Sequence, residues 1–397
     1  MELDRRTILA GAGGAAALAL PVVAQRMADL HLPGGPSARP MAPRFPQKGE
    51  MIVQRIRPPL LETPFDVFGQ GTITPNDRHF VRWHWNDFPT IVDVAGYRLK
   101  LRGAVKTPVA LTLNDVLRAG QHVEFVAVNQ CAGNSRGFSQ PRVPGAQWGH
   151  GAMSNARWRG VRLRDVLDKA GTGADARHVR FAGLDTPGIE GAPQFKKSIP
   201  IDVARRDDVI VAFAMNGEAL PLLNGFPLRV IVPGWFSTYW VKMLADIEVL
   251  TGEDDSFFMA KSYRWPTVPV KPGDKDFPTV PVTAMPPRSF VTSHAEGAKI
   301  PFGKPFDIHG IAMGGDCGVA KVEVSVDGKM ATIAQLEPEV GKYGFRRWRA
   351  TVRSDRHDPV IAPRCTNTNG VAQPDKAFWN PSGYAINRVE RLTLRTS

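Results

Sequence analysis

The chain has 397 residues, a formal net charge of +12, 43% hydrophobic residues, 38 glycines, 34 prolines and 3 cysteines. That length exceeds one ordinary hydrophobic core and predicts two domains. Beyond the first residues no apolar stretch is long enough for a membrane-spanning helix. No C-x-x-C-H run offers haem attachment, and no basic helix, zinc-finger spacing or aromatic–basic repeat accompanies the positive charge to suggest nucleic acid. The charge suits anionic substrates and acidic partner proteins instead.

Residues 1–24 read as a targeting segment. Arg5-Arg6 leads into an apolar, Gly/Ala-rich run at 10–24 that is too short to span a bilayer, and Val22-Val23-Ala24 supplies small side chains for cleavage before Gln25. The pattern predicts export to the periplasm by the twin-arginine route, with an ordinary secretory signal as the alternative. The charges of Glu2, Asp4, Arg5 and Arg6 cancel, so the remainder keeps the net +12.

Residues 25–70 are rich in Pro and Arg without clear periodicity and are expected to form an extended arm. From 71 to 265, short β-type runs at 179–181, 209–213 and 228–232 alternate with helical patches at 111–117 and 163–169, a mixed α+β pattern. Pro266, Pro269, Pro272, Pro278, Pro281, Pro286 and Pro287 then mark 266–287 as an inter-domain linker. From 288 to 397 the pattern is nearly all β. Runs at 306–312 and 319–326 alternate apolar and polar residues, Asp327-Gly328 signals a hairpin turn, and 346–352 and 389–394 continue the theme. This predicts an immunoglobulin-like sandwich. Cys317 and Cys365 lie in this part and are candidates for a disulfide in an oxidising compartment.

Cys131 lies in Val128-Asn-Gln-Cys-Ala-Gly-Asn-Ser-Arg-Gly137, where a predicted buried strand at 124–128 gives way to small, polar residues. Arg136 follows. A thiolate is the form of cysteine that binds metals; a packed core cysteine is the competing reading. The segment resembles the C-A-G-N-x-R motif of the sulfite oxidase family of molybdenum enzymes. The resemblance extends to Gly151-Ala-Met-Ser-Asn-Ala-Arg-Trp-Arg-Gly-Val161, Gly225-Phe-Pro-Leu-Arg-Val-Ile-Val-Pro-Gly234, Tyr239-Trp-Val-Lys242 and Trp379-Asn-Pro-Ser-Gly-Tyr384, and so covers most of residues 70–395. It implies a mixed α/β molybdopterin domain at 71–265 followed by an all-β immunoglobulin-like domain, 288–397, that serves for dimerisation. Cys131 then becomes the protein ligand to molybdenum, otherwise held by the dithiolene of a pterin.

The same resemblance distributes further roles. Arg82 and Arg136 are expected to bind a small oxyanion, since a guanidinium keeps its charge and donates several hydrogen bonds. Phe80, Val81, Trp83 and His84, in Phe80-Val-Arg-Trp-His84, resemble the family segment that touches pterin and pocket. His84 is expected to hydrogen-bond or line the pocket, not to ligate metal. Trp148 matches a pocket-wall tryptophan when a two-residue gap is allowed. Tyr263 matches the active-site tyrosine. Arg229, Trp240, Val241 and Lys242 are expected around the cofactor's anionic tail. Asp185 is expected on the pterin ring. Asn224 stands where animal members have His, and an amide can still hydrogen-bond phosphate. One departure concerns the loop after Trp379-Asn380, which carries a third pocket arginine in animal sulfite oxidases and reads Pro381-Ser382 here. Arg264 is the candidate to compensate. The spelling of the motifs is closer to bacterial periplasmic sulfite dehydrogenases.

The resemblance therefore implies a molybdenum–molybdopterin enzyme without haem in this chain. It would oxidise sulfite to sulfate and pass electrons singly to a cytochrome c. A sulfane dehydrogenase-type subunit of thiosulfate oxidation is the alternative within the superfamily, although those proteins tend to lack an arginine at the position of Arg136. A non-catalytic exported binding protein is the alternative outside it.

Overall fold

The computed structural model describes residues 25–42, 45–329, 331–376 and 378–397. The twin-arginine segment, including Arg5, Arg6 and the cleavage run, lies outside the described residues. No helix among the described residues is long and apolar enough to cross a membrane.

The N-terminal stretch is folded where an extended arm was expected. Met27–Asp29, Ala38–Ala42, Met51–Arg55, Leu60–Glu62 and Val81–Arg82 form a five-stranded sheet in that order. Met51, Val53, Leu61, Val81 and Trp83 bury a small core of their own with Leu223 and Met243. The strands are only two to five residues long, too short to leave a readable alternation in the sequence.

The central part contains two further sheets. One orders Lys196–Pro200, His178–Gly183, Leu244–Leu250, Leu99–Gly103 and Val109–Leu111, with Leu244–Leu250 and Leu99–Gly103 parallel. The other orders Glu218–Ala219, Ile210–Met215, Met153–Arg162 and His122–Gln130, and Arg229–Ile231 adds to Ile210–Met215. The central strands Ile210–Met215 and Arg229–Ile231 are almost wholly buried, which explains their near-continuous apolar runs. The expected helix at 111–117 begins later, at Leu113–Leu117, because Thr112 and Asp115 form a reciprocal capping box and Leu111 ends a strand. The second helix is Leu163–Asp168.

The stretch 266–287 is docked at its two ends, while most of 267–278 is exposed. Arg264–Pro266 pairs with Thr279–Pro281, Phe236 N–H donates to Thr283 O, and Val282 and Met285 sit in the main core. Beyond it stands a β sandwich of two four-stranded sheets. One orders Arg288–Val291, Pro305–Met313, Arg346–Arg353 and Gln335–Leu336. The other orders Thr332–Ile333, Val319–Val326, Val360–Asn367 and Leu392–Thr393. Ile308, Val322, Val324, Trp348 and Ile361 fill its centre. Asp327 and Gly328 turn the predicted hairpin with φ 55° and 70°, both left-handed, as a type I′ turn requires. The strand expected at 389–394 shrinks to Leu392–Thr393, and Glu390 enters an ion pair instead. Phe290, Ile311, Tyr343 and Phe345 from the sandwich belong to the main core, so the two parts meet through packed apolar surface.

All three cysteines are free thiols. Cys317 and Cys365 are buried and their sulfurs point to separate carbonyls, Gly314 O at 3.9 Å and Met313 O at 3.7 Å, in place of the candidate disulfide. Burial pushes the Cys365 thiol up to about 12.

Candidate active site

Cys131 follows the last residue of His122–Gln130, where the sheet ends and the backbone must find new partners. Its N–H donates to Ala152 O at 2.9 Å and its carbonyl accepts from Asn134 N–H at 3.0 Å. Asn134 braces the turn from its side chain, donating to Gln130 Oε1 and accepting from Ala152 N–H. Ser135 adopts φ 68°, which brings Arg136 back beside the cysteine. The guanidinium lies so close to Gly133 that a Cβ there would sit 2.5 Å from it, and it is flanked likewise by Gly145 and Gly383. Three glycines from three segments thus make room for one arginine. Arg136 Nε donates to Ser382 O at 2.8 Å, and the guanidinium carbon lies 5.4 Å from the centre of the Tyr384 ring.

Cys131, Arg82 and Tyr263 stand at the junction of two cavities. The inner one is also walled by Phe80, Val81, His84, Asn224, Arg229, Trp240 and Lys242, all expected residues. Arg229 is buried, donates to Trp240 O and Asn224 O, and packs over the Trp158 and Trp240 rings. Lys242 donates to Arg82 O at 2.8 Å and lies over the Trp83 ring. Burial drops Arg229 to about 9. Burial, and then Arg229, drop Lys242 to about 7.

Several expected residues sit differently. Trp83 is behind the wall, stacked on Phe88 and donating to Leu223 O. Val241 is buried off both cavities, with its carbonyl accepting from Val230 N–H. Asp185 is buried beside Lys242; burial raises its carboxyl, against the pull of Lys242. Asn224 reaches the wall, but its amide is engaged: its oxygen accepts from Lys48 Nζ and its nitrogen donates to Phe80 O. Lys48, missed in the sequence, is itself buried behind this wall, and burial drops it to about 7.

His84 Nε2 meets Tyr263 OH at 2.7 Å while its ring stacks on Phe195. Burial first, then Arg82 and Lys242, hold His84 well below its ordinary value, so the imidazole is neutral. Burial pushes the Tyr263 phenol up, which keeps it protonated. Tyr263 holds φ 56°, a left-handed conformation that a bulky residue adopts only where its surroundings enforce it.

The outer cavity, about 670 Å³, opens from this junction between Trp148, Arg136 and the loop carrying Pro381 and Ser382. Trp148 is a wall residue, and Glu62, buried, pins its neighbours by accepting from Gly149 and Gly151 N–H. Arg264 is on neither wall. Its guanidinium donates to Thr279 Oγ1, Thr279 O and Met259 O. The added cations come instead from the N-terminal sheet, as Arg39 and Arg55.

The inner cavity tests well against an anionic cofactor. Arg82 Nη1 and Thr238 Oγ1 are buried without a partner among the described residues, and both residues face the cavity. Buried unpartnered donors and cations with depressed basicity mark a place where an anion belongs. Such a fold, with one thiol at the mouth of a cation-lined cavity, defines a pterin-type oxidoreductase site. Residues 85–258 match the model of the oxidoreductase molybdopterin binding domain. The chain is 33% identical to the sulfite oxidase of Gallus gallus over 378 residues, covering 88% of this chain and 79% of that protein. It is 31% identical to the sulfite oxidase of Arabidopsis thaliana over 393 residues, covering 92% and 98%. The crystal structure of the sulfane dehydrogenase SoxCD from Paracoccus pantotrophus superposes with a TM-score of 0.71 at 26% identity, covering 84% of each chain. The chain belongs to the sulfite oxidase family of molybdopterin-binding oxidoreductases. That membership sets aside the non-catalytic reading.

Proposed function

We propose that this protein is a sulfite dehydrogenase: sulfite and water give sulfate, two protons and two electrons, and the electrons leave singly to a cytochrome c. The observation that carries this reading is the position of Cys131, one thiol shared by a buried, cation-walled cavity and an open, arginine-lined one. Cys131 would hold molybdenum, with Arg229, Lys242 and Thr238 toward the anionic part of the pterin. Bound there, the molybdenum–pterin group supplies the two-electron redox chemistry. Arg82 and Arg136 bind and orient the oxyanion with fixed donors. Tyr263 holds a proton on its phenol oxygen, and neutral His84 fixes where that oxygen points. Trp148 narrows the approach and excludes water.

The reading includes twin-arginine export to the periplasm and a homodimer formed through the sandwich. The similarity to SoxCD favours a second reading, a sulfane dehydrogenase-type subunit. The deciding experiment is turnover by molybdenum-loaded protein with sulfite and with a sulfane-sulfur donor, read with ferricyanide and cytochrome c in parallel. Sulfite-dependent reduction of both acceptors is expected. Turnover with the sulfane donor alone replaces the first reading by the second, and molybdenum-loaded protein inert toward both removes each.

A further inference from the structure

The outer cavity carries four arginines, Arg39, Arg55, Arg82 and Arg136, and no carboxylate on its walls. Three of these, Arg39, Arg55 and Arg82, come from the N-terminal sheet, and the sheet places them. In its register Arg55 opposes Leu60 and Leu60 opposes Arg82, so the three form one row across three strands. Residues directly opposite share a face, and all three do line the cavity. The register shifts between Val53 and Arg55. Such a bulge re-aims the side chain that follows it, here toward the opening. Arg39 lies beside it, its Nε donating to Gln54 Oε1 at 3.3 Å. Arg55 and Arg82 stand on either side of Leu60 with no acid between them, and burial first, then the charge of Arg82, lower the Arg55 guanidinium. An anion between the arginines offsets that repulsion.

We propose that Arg55 and Arg39 build an outer anion subsite that takes a sulfur oxyanion, the sulfite about to enter or the sulfate about to leave. The proposal rests on assigning the pocket to sulfur oxyanions. The cavity is far larger than the space one such ion needs beside Cys131, so a second position exists on the path between Arg136 and solvent. Arg55 is exposed, as a residue that meets ions arriving from water must be. A concave surface lined by one sign of charge concentrates its counter-ion and raises the rate of capture.

The test compares molybdenum-loaded wild type, Arg55→Gln, the Arg39→Gln/Arg55→Gln double variant and Arg353→Gln, an exposed arginine of the sandwich. Turnover is read with a small uncharged acceptor, sulfate affinity by calorimetry on the same holoenzymes, and folding by thermal melting. Arg55→Gln is expected to raise KM for sulfite about tenfold, the low end of what field focusing in a charged cleft supplies. Its kcat should change much less. Weaker sulfate binding and a flatter dependence of kcat/KM on salt should accompany it, and the double variant should go further in each. An increase in KM with unchanged sulfate affinity assigns the subsite to capture of substrate, and the converse to release of product. Unchanged KM and sulfate affinity in the double variant overturn the subsite. So does an effect seen only with an acidic protein acceptor, which would make the arginines a docking surface. Sulfate binding that depends on Arg55 in an enzyme that does not oxidise sulfite would remove the proposed reaction and leave the subsite standing.

Discussion

Arg136 Nε donates to the carbonyl of Ser382 at 2.8 Å, so a loop of the C-terminal sandwich region holds the cation that stands beside Cys131. The contact spans 246 positions of sequence. A second contact supports the same turn from behind. Arg288, fully buried, donates to Ser135 Oγ and to Glu390, and His150 Nδ1 meets Ser135 Oγ at 2.8 Å. The turn from Cys131 to Arg136 is therefore set by both parts of the molecule, and its geometry depends on how they are docked.

Gly133→Ala should act as a site mutation without removing a charged group. A Cβ at 133 would come within 2.5–2.6 Å of the Arg136 guanidinium, which is hemmed in by Gly145 and Gly383. Overpacking of this kind costs about 1–3 kcal/mol. The arginine must shift, so KM for sulfite should rise toward that of Arg136→Gln, while Arg353→Gln stays at the wild-type value. Steady-state kinetics on the three variants decide it, and a wild-type KM for Gly133→Ala would show that the guanidinium has room to move.

Much of this was legible in the sequence, for a physical reason. Cys131, Arg136, Arg229, Lys242 and Tyr263 sit in runs that resemble family motifs, and in two of those runs a glycine answers to a close approach, Gly133 under the Arg136 guanidinium and Gly225 against Lys242. Arg39, Arg55 and Lys48 carry no such mark. They lie on or between strands of at most five residues, where alternation is too short to read and a bulge breaks the register. Trp83 turns away from the cavity although Phe80, Val81, Arg82 and His84 around it all line the wall; its ring is taken up by Phe88 and its indole N–H by Leu223 O. Arg264 was drawn into the pocket by its adjacency to Tyr263, yet the strand Arg264–Pro266 turns its guanidinium to Thr279.

Cys131→Ser should lose sulfite turnover with little change in melting temperature. A hydroxyl is a poor soft ligand compared with a thiolate, whereas the backbone bonds of residue 131 to Ala152 and Asn134 do not involve the sulfur. Molybdenum content and activity measured together test this. Full turnover in the serine variant would assign the ligand elsewhere.

Tyr263→Phe removes the 2.7 Å contact with His84 and the proton held on the phenol. It leaves the ring stacked on Tyr384. We expect kcat to fall by about 10²–10⁴, the range of a positioned proton-transfer group, with a smaller change in KM. His84→Gln should show a milder loss, since an amide still reaches the phenol. Equal activity of wild type and Tyr263→Phe across pH would remove the tyrosine from proton handling.

Acid should weaken the joint between the two parts. Burial lowers His150 from its ordinary 6.5 to about 4. Because the folded value is depressed, the stability it carries is complete above the unfolded value and is lost as pH falls through the interval toward 4. That interval is worth on the order of 3 kcal/mol. Glu390 has the same sign. Burial pushes its carboxyl up, but His150, Arg288 and Arg388 outweigh burial and hold it low, so its contribution is also lost on acidification. At neutral pH His150 is uncharged, and Arg288 is the working partner. His79 and His84 are buried neutral as well, so His150→Gln should blunt the acid loss between pH 6.5 and 4 in part. Urea melts at a series of pH values measure it, and an unchanged slope in the variant would place the acid sensitivity entirely on the other groups.

Electron delivery is the step most exposed to salt. Transient redox encounters use small interfaces, and complementary charge speeds their formation. With a formal net charge of +12, the protein should favour an acceptor bearing an acidic patch around its haem edge. Turnover with such a cytochrome should fall as ionic strength rises, because added salt shortens the screening length from about 10 Å at 0.1 M to about 3 Å at 1 M. Turnover with a small uncharged acceptor should respond only through sulfite binding, which saturating sulfite suppresses. The comparison is therefore made at saturating sulfite, with both acceptors, across one salt series. A cytochrome rate that is flat or rises with salt, while the small acceptor's rate stays constant, would show that net charge does not direct docking and that a local apolar contact does.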